Sequence, residues 1–322
     1  MRETVVGLAA LAALLLAALA AAGAGEVYYI NLASKVAIIA MAGVGLNLAL
    51  GFGGMVSFGH AAFFGLGGYA AGVAAFHAFD GTLFLGLLPG TDAMPIIWLA
   101  AVLVAVLFAL PIGAISLRTS GVYFIMITLA FAQMIYFFAI SWPSYGGEDG
   151  LPIYIRNSFP GLDAGDALTF FGLAFAALLA SLALTDRLTR SRFGAALSMA
   201  HLNEVRLATS GVEPFPIRLT AFVISAAITA WAGALFADLY GFVGPSMLSW
   251  QRSGELIVIV ILGGVGRPLG PVLGAALFVL LETFLGGLTQ HWQLVLGLIL
   301  LGVVLFARGG LMGLLGGKMA HD

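Results

Sequence analysis

The sequence contains no cysteine, and only 9% of its 322 residues are charged. The missing cysteine excludes disulfides, a thiolate zinc site and a thiol nucleophile. An average soluble domain has roughly 25% charged residues, so this chain has too few charges to cover a soluble surface. A hydrophobic fraction of 61% and a mean hydropathy of +1.09 instead indicate an integral membrane protein that crosses the bilayer several times.

Motifs for catalysis and cofactor binding are also missing. The chain has no GxxxxGK[ST] loop for nucleotide phosphates, because "GGKMA" (316–320) lacks both the first glycine and the hydroxyl residue. It has no HExxH or Gly-x-Ser-x-Gly motif, and its five histidines lack metal-ligand spacing. We therefore predict that the chain is not an enzyme and binds no metal or cofactor of its own.

Long apolar runs predict an all-α, polytopic transmembrane bundle that forms a single domain over residues 1–322. A spanning helix needs roughly 20 mostly apolar residues. The predicted spans are 5–24, 28–50, 58–77, 96–117, 121–141, 168–185, 218–240, 253–265, 270–286 and 291–307. The 253–265 stretch is too short for a full crossing, which indicates a half-span or a strongly tilted helix. The count is therefore eight to ten.

The first apolar run allows two interpretations. Arg2, an Ala/Leu run and the following "AAGAGE" resemble a secretory signal with a small-residue cleavage site. The run is about 20 residues long, however, whereas the apolar core of a signal typically has 7–15 residues. A retained first helix is the favoured interpretation.

Charged residues in the connections predict the orientation. The 186–218 loop holds five arginines, and further basic residues follow the last span. The 78–95 loop has two aspartates and no basic residue, and the 142–167 loop has four acidic residues against one arginine. The pattern places both termini, the 186–218 loop and the tail at 308–322 in the cytoplasm, with the two acidic loops outside.

Two glycine-interrupted regions, 51–72 and 263–274, break the apolar pattern. Irregular backbone at membrane depth is tolerated only where protein buries it or water lines it, and paired broken helices point to inverted repeats around a pathway. Gly68 and Gly72 also have the GxxxG spacing that allows close approach of helices. Backbone breaks or close packing are predicted at Gly51, Gly53, Gly54, Gly59, Gly68, Gly72, Gly263 and Gly264.

The stretch "GFGGMVSFGH" (51–60) also contains polar side chains that are costly in lipid without a partner. One interpretation is a tight turn between two helices, with His60 as a buried, hydrogen-bonded histidine. The other is that Ser57 and His60 line a solute pathway. Both interpretations fit the sequence.

The loop "SRFGAALSMAHLNEVRLATSGVEPFP" predicts a short helix pair that is too short to span the membrane. Gly211 suits a helix C-cap, and Pro214 and Pro216 stop the helix. The pair is either an amphipathic interfacial element or a docking element for a cytoplasmic partner, and its spacing fits both.

Three acidic residues lie in or near predicted spans, and such residues are candidates for functional sites. Asp238 and Glu255 lie near predicted outer ends, so we expect them to be solvated. Glu282 lies deeper and could pair with a neighbouring helix, although no arginine is clearly buried to partner any of the three.

Several blocks together resemble permease subunits of bacterial branched-chain amino acid ABC importers, and within them the LivM-type partner. In chain order these blocks are "GFGGMVSFGHAAFFGLGGYAAG" (51–72), "GVYFIMITLAFAQM" (121–134), "YGGEDGLP" (145–152), "SRFGAALSMAHLNEVRLATSGV" (191–212), "LTAFVISAAITAWAGALFA" (219–237), "LGGVGRPLGPVLGAA" (262–276) and "ARGGLMGL" (307–314). They cover about 265 residues in the order typical of the family.

The resemblance implies a transport subunit of the bacterial inner membrane that has no chemistry of its own. Its implied partners are a second, homologous permease, two cytoplasmic ATPases that bind ATP and Mg, and a periplasmic or lipid-anchored solute-binding protein. The 186–218 loop would dock on an ATPase. The implied docking residues are Gly194, Asn203, Glu204, Arg206 and Gly211.

The resemblance also implies a solute pathway for branched-chain or related amino acids, or for a similar small polar solute such as urea or an amide. Candidate pathway residues are Ser57, His60, Phe63, Tyr123 and Glu255. Arg206 and Leu207 stand where the family often has alanines, and Met55 stands where it commonly has glutamine. The competing hypothesis is a stand-alone secondary transporter or channel, which would need buried ionisable residues at mid-span.

Overall fold

The protein is a bundle of helices with very little sheet. The computed structural model describes residues 2–84, 86, 88–154, 156–288, 291–306 and 309–316. The helices of this part of the chain are α1 Arg2–Gly23, α2 Val27–Asn47, α3 His60–Asp80, α4 Met94–Ser116, α5 Val122–Ile140, α6 Ala167–Thr189, α7 Arg192–Leu202, α8 Glu204–Thr209, α9 Pro214–Tyr240, α10 Trp250–Gly263, α11 Gly270–Leu288, α12 Trp292–Phe306 and α13 Gly310–Gly316. Two antiparallel sheets pair β1 (Leu83–Phe84) with β2 (Leu88–Pro89) and β3 (Leu151–Pro152) with β4 (Phe242–Val243).

Eight of these helices are long and apolar enough to cross a membrane: α1 to α6, α9 and α11. Every predicted span overlaps a helix, which confirms the all-α, polytopic fold. Helix α12 is shorter, with an apolar stretch at Gln293–Val303. Helix α10 has 14 residues and a length of about 21 Å, against a hydrocarbon core about 30 Å thick. It is therefore too short for a full crossing, as the sequence predicted.

Side-chain caps fix the starts of four helices, where backbone N–H groups lack a helical partner. Asp166, Ser191, Asn203 and Ser249 cap α6, α7, α8 and α10 in turn. Asp166 accepts hydrogen bonds of 2.9 Å from both the backbone N and the Oγ1 of Thr169. These bonds favour the charged carboxylate and hold the pKa of Asp166 below its usual range.

The centre of the bundle is formed by α2, α3 and α9, and α3 and α9 make its most extensive helix contact. Gly67 of α3 faces the backbone of Ala230, and Gly233 of α9 faces the backbone of Phe64. A side chain at either glycine would overlap a carbonyl oxygen of the other helix. The two helices can approach this closely only because both positions lack a Cβ atom.

The chain between α9 and α10 runs back along α3 without forming an α-helix. Val243 lies against Gly72, Met247 against Gly68 and Leu248 against Gly65. The GxxxG spacing predicted close approach of a helix at Gly68 and Gly72. A Cβ atom at Gly68 would lie 3.4 Å from the carbonyl oxygen of Gly233 on α9, but the nearest atoms at both glycines belong to the connecting segment 241–249, which contains a 3₁₀ turn at Pro245–Leu248. Because protein covers it, its irregular backbone is compatible with membrane depth.

A carboxylate is buried where the loop after α5 covers the end of α9. Asn157 donates a hydrogen bond through Nδ2 to Oδ1 of Asp238, whose residue is only 2% exposed. The guanidinium of the neighbouring Arg156 lies over the ring of Phe170. The prediction that Asp238 is solvated at a helix end is therefore wrong, because a loop from elsewhere in the sequence folds over it.

The helix connections gather at two ends of the bundle. At one end, Arg267 forms an ion pair with Glu3, 2.8 Å between Nη1 and Oε1, and the break after α2 contacts α7. At the other end, the backbone N of Ser158 donates to the carbonyl of Asp92 at 2.7 Å and joins the two acidic loops. The N-terminus, the α7–α8 pair and α13 thus lie at the end opposite the acidic loops, which fits the relative placement that the charges predicted. Of the predicted tail at 308–322, residues 308 and 317–322 lie outside the described part.

Candidate functional site

The two glycine-rich breaks of the sequence meet in one place, which we call the junction (residues 47–55 and 264–267). Helix α2 continues as a π-helical turn, Leu48–Phe52, and Asn47 lies just before it. The Nδ2 of Asn47 donates to the carbonyl of Arg267 at 2.9 Å, and its Oδ1 accepts from the backbone N of Gly266 at 3.0 Å. One amide side chain thus joins two breaks that are 219 residues apart in sequence.

Glycines allow the backbones of the junction to come this close. A Cβ atom at Gly51 would lie 2.7 Å from the Cα of Gly266, inside van der Waals contact. Gly54 has φ of +65°, a left-handed conformation that side-chain-bearing residues rarely adopt. The other glycines predicted at the breaks also face close neighbours in the fold: Gly53, Gly59, Gly263 and Gly264.

His60 lies at the start of α3 and has no exposed surface. Its Nε2 is 2.7 Å from Oγ of Ser225, and that hydroxyl donates to the carbonyl of Gly45 at 2.6 Å. Because serine has a single O–H, which donates to Gly45, the Nε2 of His60 is the donor in the pair. The ring also makes edge contacts with Phe63 and Phe222, so in this conformation His60 ties α3 to α9.

The five predicted pathway residues do not form one site. Ser57, like His60 and Phe63, is fully buried, and its Oγ accepts from the backbone N of Gly59 at 3.1 Å. Tyr123 lies at the start of α5 and is 73% exposed. Glu255 lies on α10 and belongs to a separate group of charged side chains between α2, α10 and α11. A pathway role for any of these residues stays a prediction.

Helices α7 and α8 form the predicted helix pair at the end of the bundle. Asn203 ends α7 and begins α8, and its Oδ1 accepts from the backbone N of Arg206 at 3.0 Å. Glu204 forms an ion pair with Arg218 of α9, which fixes the pair to the span that follows. Gly211 follows α8 with φ of +86°, in the left-handed conformation that its predicted capping role requires.

The helix pair has a docked face and a free face. On the docked face, the ring of His201 lies against Gly54, and Leu197 is buried beside Gly53. On the free face, Leu202 and Val205 are 85% and 73% exposed. The pair therefore offers apolar surface outward while it contacts the junction inward.

A group of four charged side chains lies between α2, α10 and α11, and we call it the charge cluster (Lys35, Arg252, Glu255 and Glu282). The Nζ of Lys35 is 2.9 Å from Oε2 of Glu282, and Nη1 of Arg252 is 2.7 Å from Oε2 of Glu255. All four side chains line one narrow pocket, which in this conformation has no room for a water molecule. The guanidinium of Arg252 also lies 5.4 Å from the ring centre of Phe236.

The charge cluster confirms one sequence prediction and corrects another. Glu282 pairs with a neighbouring helix, as was suggested. Glu255 is not a free, solvated carboxylate but the partner of Arg252, so a basic residue is available after all. Reasoning from the sequence did not identify Lys35 or Arg252. The one signal for Lys35 is that it is the only charged residue in the apolar run 28–50.

Comparisons with known proteins agree with the resemblance seen in the sequence. Residues 28–307 match the family model described as "Branched-chain amino acid transport system / permease component". The high-affinity branched-chain amino acid transport system permease protein LivM of Escherichia coli K12 is 27% identical over 307 residues, covering 88% of this chain and 69% of its own. BraD of Pseudomonas aeruginosa, a permease protein of the same description, is 24% identical and is covered over 91% of its length.

A more distant relative matches only part of the chain. The autoinducer 2 import system permease protein LsrC of Salmonella typhimurium LT2 is 29% identical over 173 residues, half of this chain and 48% of its own. No solved structure matches. The family model covers most of the chain and includes the junction, the helix pair and the charge cluster. The chain is therefore a multi-pass membrane protein that belongs to the permease components of the branched-chain amino acid transport systems.

Proposed function

We propose that this chain forms one half of the translocation pathway of an ABC importer in the bacterial inner membrane, for branched-chain or related neutral amino acids. Family membership over residues 28–307 carries the proposal. The partners would be a second permease, two cytoplasmic ATPases and a solute-binding protein on the outer side. ATP and Mg would be bound by the ATPases, because the chain has no phosphate-binding loop of its own.

The helix pair α7–α8 is the proposed docking site for an ATPase. It is too short to span the membrane, it is fixed at one end of the bundle, and it presents Leu202 and Val205 outward. Contiguous exposed apolar surface on a soluble face marks an interaction site. Placement of this end in the cytoplasm, together with both termini, follows the excess of arginine in the 186–218 loop.

The docked face of the same helix pair supports a route for coupling. His201 touches Gly54, and in the junction beyond it Asn47 joins the end of α2 to the connection between α10 and α11. A π-helical turn within a span often occurs at a functional site. Movement of α7 on an ATPase would therefore act directly on the break between α2 and α3. Alternating access requires that ATP-driven closure favour one arrangement of these helices over the other.

The charge cluster favours a second candidate function, a secondary transporter driven by an ion gradient. Such coupling uses ionisable residues at mid-span, and four of them lie together here. Reconstitution distinguishes the two functions. For the importer, we expect leucine uptake into proteoliposomes only when both permeases, the ATPases, the binding protein and ATP are present. Uptake by the chain alone, under an ion gradient and without ATP, would instead establish the secondary transporter.

The docking proposal predicts a specific loss of assembly. We expect Val205→Asp to lower the amount of ATPase that co-purifies with the permease at least fivefold, because it places a charge on the apolar free face. Val205→Thr has nearly the same shape without a charge and should retain most of the ATPase. Equal recovery of ATPase with both variants, measured on membranes with equal permease content, would show that α8 does not dock there.

A further inference from the structure

The charge cluster lies at the depth of the hydrocarbon core. Lys35 is about 7 Å along the axis from the middle of the span Val27–Phe52, and Glu282 is about 5 Å from the middle of α11. The core extends about 15 Å to either side of its centre. Charged residues at such depth face the interior of a bundle or a water-filled cavity and do not face lipid.

The four side chains are not sealed inside this chain. Their exposed fractions are 16% for Lys35, 29% for Glu282, 23% for Arg252 and 34% for Glu255. Contact of these open sides with lipid would be too costly at this depth. The open side of the cluster therefore faces either a partner subunit or water.

The backbone beside the cluster has the form of a broken transmembrane helix. The connecting segment 241–249, which holds β4 and a 3₁₀ turn, leads to α10. Helix α10 begins at Trp250, and Arg252 and Glu255 lie in its first two turns. In transporters, discontinuous helices of this kind frame solute sites near the middle of the membrane. The cluster adds charged groups of both signs to such a half-helix, next to α2 and α11.

We propose that the charge cluster is the solute site of the pathway and that it takes a zwitterion. Two cations and two carboxylates give the cluster no net charge. The carboxylate of a neutral amino acid can accept hydrogen bonds from Lys35 or Arg252, while its ammonium donates to Glu282 or Glu255. When the two charged groups of the solute replace the present ion-pair partners in this way, every charge stays paired. An amine or a carboxylic acid alone would instead leave one charge unpaired in a medium of low polarity. The inference rests on the proposed function.

The alternative is that Lys35 and Glu282 form a purely structural ion pair. Exchanging their two charges distinguishes that role from a solute site. We expect Glu282→Gln to reduce ATP-driven leucine uptake by the complete complex at least tenfold, with ATPase association unchanged. The double variant Lys35→Glu with Glu282→Lys restores the pair but reverses its direction. We expect its uptake to stay at least tenfold low although it assembles normally, because the reversed charges no longer match the solute. Recovery of uptake in the double variant would overturn the inference.

The absence of native cysteine allows a second test of whether water and solute reach the cluster. Val279 lines the narrow pocket of the cluster and is fully buried, whereas its neighbour Leu280 is 56% exposed on the outer face of α11. In the complex during ATP turnover, Val279→Cys should react with a charged, water-soluble thiol reagent, and leucine should slow the reaction. We expect Leu280→Cys, on the outer face of the helix, to face lipid and not to react. An unreactive Cys at 279, or a reaction that leucine leaves unchanged, would contradict a solute site.

Uptake by the wild-type complex distinguishes failure of the proposed importer function from failure of the proposed solute site. If the wild-type complex shows no ATP-dependent uptake of any neutral amino acid, the proposed function fails and this inference fails with it. If uptake is normal and the charge-reversed variant also transports, the importer stands and the charge cluster is a structural element. Uptake of leucine but not of its decarboxylated amine, together with loss in the reversed variant, is the result that we expect.

Discussion

Replacing Gly233 with alanine should prevent the bundle from reaching its native packing, although the change adds a single methyl group. The Cβ atom would lie 1.8 Å from the carbonyl oxygen of Phe64, and real Cβ contacts are almost never shorter than 3 Å. Helices α3 and α9 would have to separate by about 1 Å at their closest point. Overpacking of this kind typically costs about 1–3 kcal/mol or more, and here it affects the largest helix contact of the fold.

The measurement is the thermal unfolding midpoint of the purified permease in detergent, together with the fraction that elutes as a single species. We expect a clear fall of both for Gly233→Ala. Gly172→Ala is the matched control, because Gly172 is also helical and no atom lies within 4 Å of its added Cβ. Alanine is the better helix former by up to about 1 kcal/mol, so the control should be as stable as the wild type. Equal stability of the two variants would refute the close-contact explanation.

The spans could be predicted from sequence because lipid imposes a local rule. Each crossing needs its own apolar run of fixed length, so hydropathy alone located the spans, and length alone identified α10 as too short for a full crossing. Gly68 and Gly72 show what such local patterns do not predict. Their spacing predicts that something approaches closely, but the sequence contains no signal that the nearest atoms come from the connecting segment 241–249.

Buried polar groups were the least predictable part, because their partners are distant in sequence. Lys35 and Glu282 are 247 residues apart, and Asn157 and Asp238 are 81 residues apart. Position along a helix suggested that Asp238 is solvated, whereas its surroundings depend on a loop that another part of the chain supplies. The helix pair at 192–209 was easier to predict, because capping residues and prolines are local signals.

Asn47 was also missed, since one asparagine at the end of an apolar run gives no sign of two partners in another part of the chain. Its side chain supplies both a donor, to the carbonyl of Arg267, and an acceptor, for the backbone N of Gly266. No apolar residue of similar size can do either. Asn47→Leu would leave both backbone groups without this partner, and each unpaired buried group costs roughly 1–3 kcal/mol.

We therefore expect Asn47→Leu to loosen the junction and to uncouple transport from ATP hydrolysis. In the reconstituted importer, the number of leucine molecules taken up per ATP should fall at least fivefold, while hydrolysis itself continues. Asn31→Leu is the matched control, because Asn31 lies on the same helix but is exposed. Both variants are compared at a temperature at which unfolding assays show that they are folded, so that lost coupling is distinguished from lost structure. If Asn47→Leu keeps the wild-type number of leucine molecules per ATP, the two breaks move independently. Coupling from α7 would then have to reach α10 and α11 through α9, which α7 also contacts.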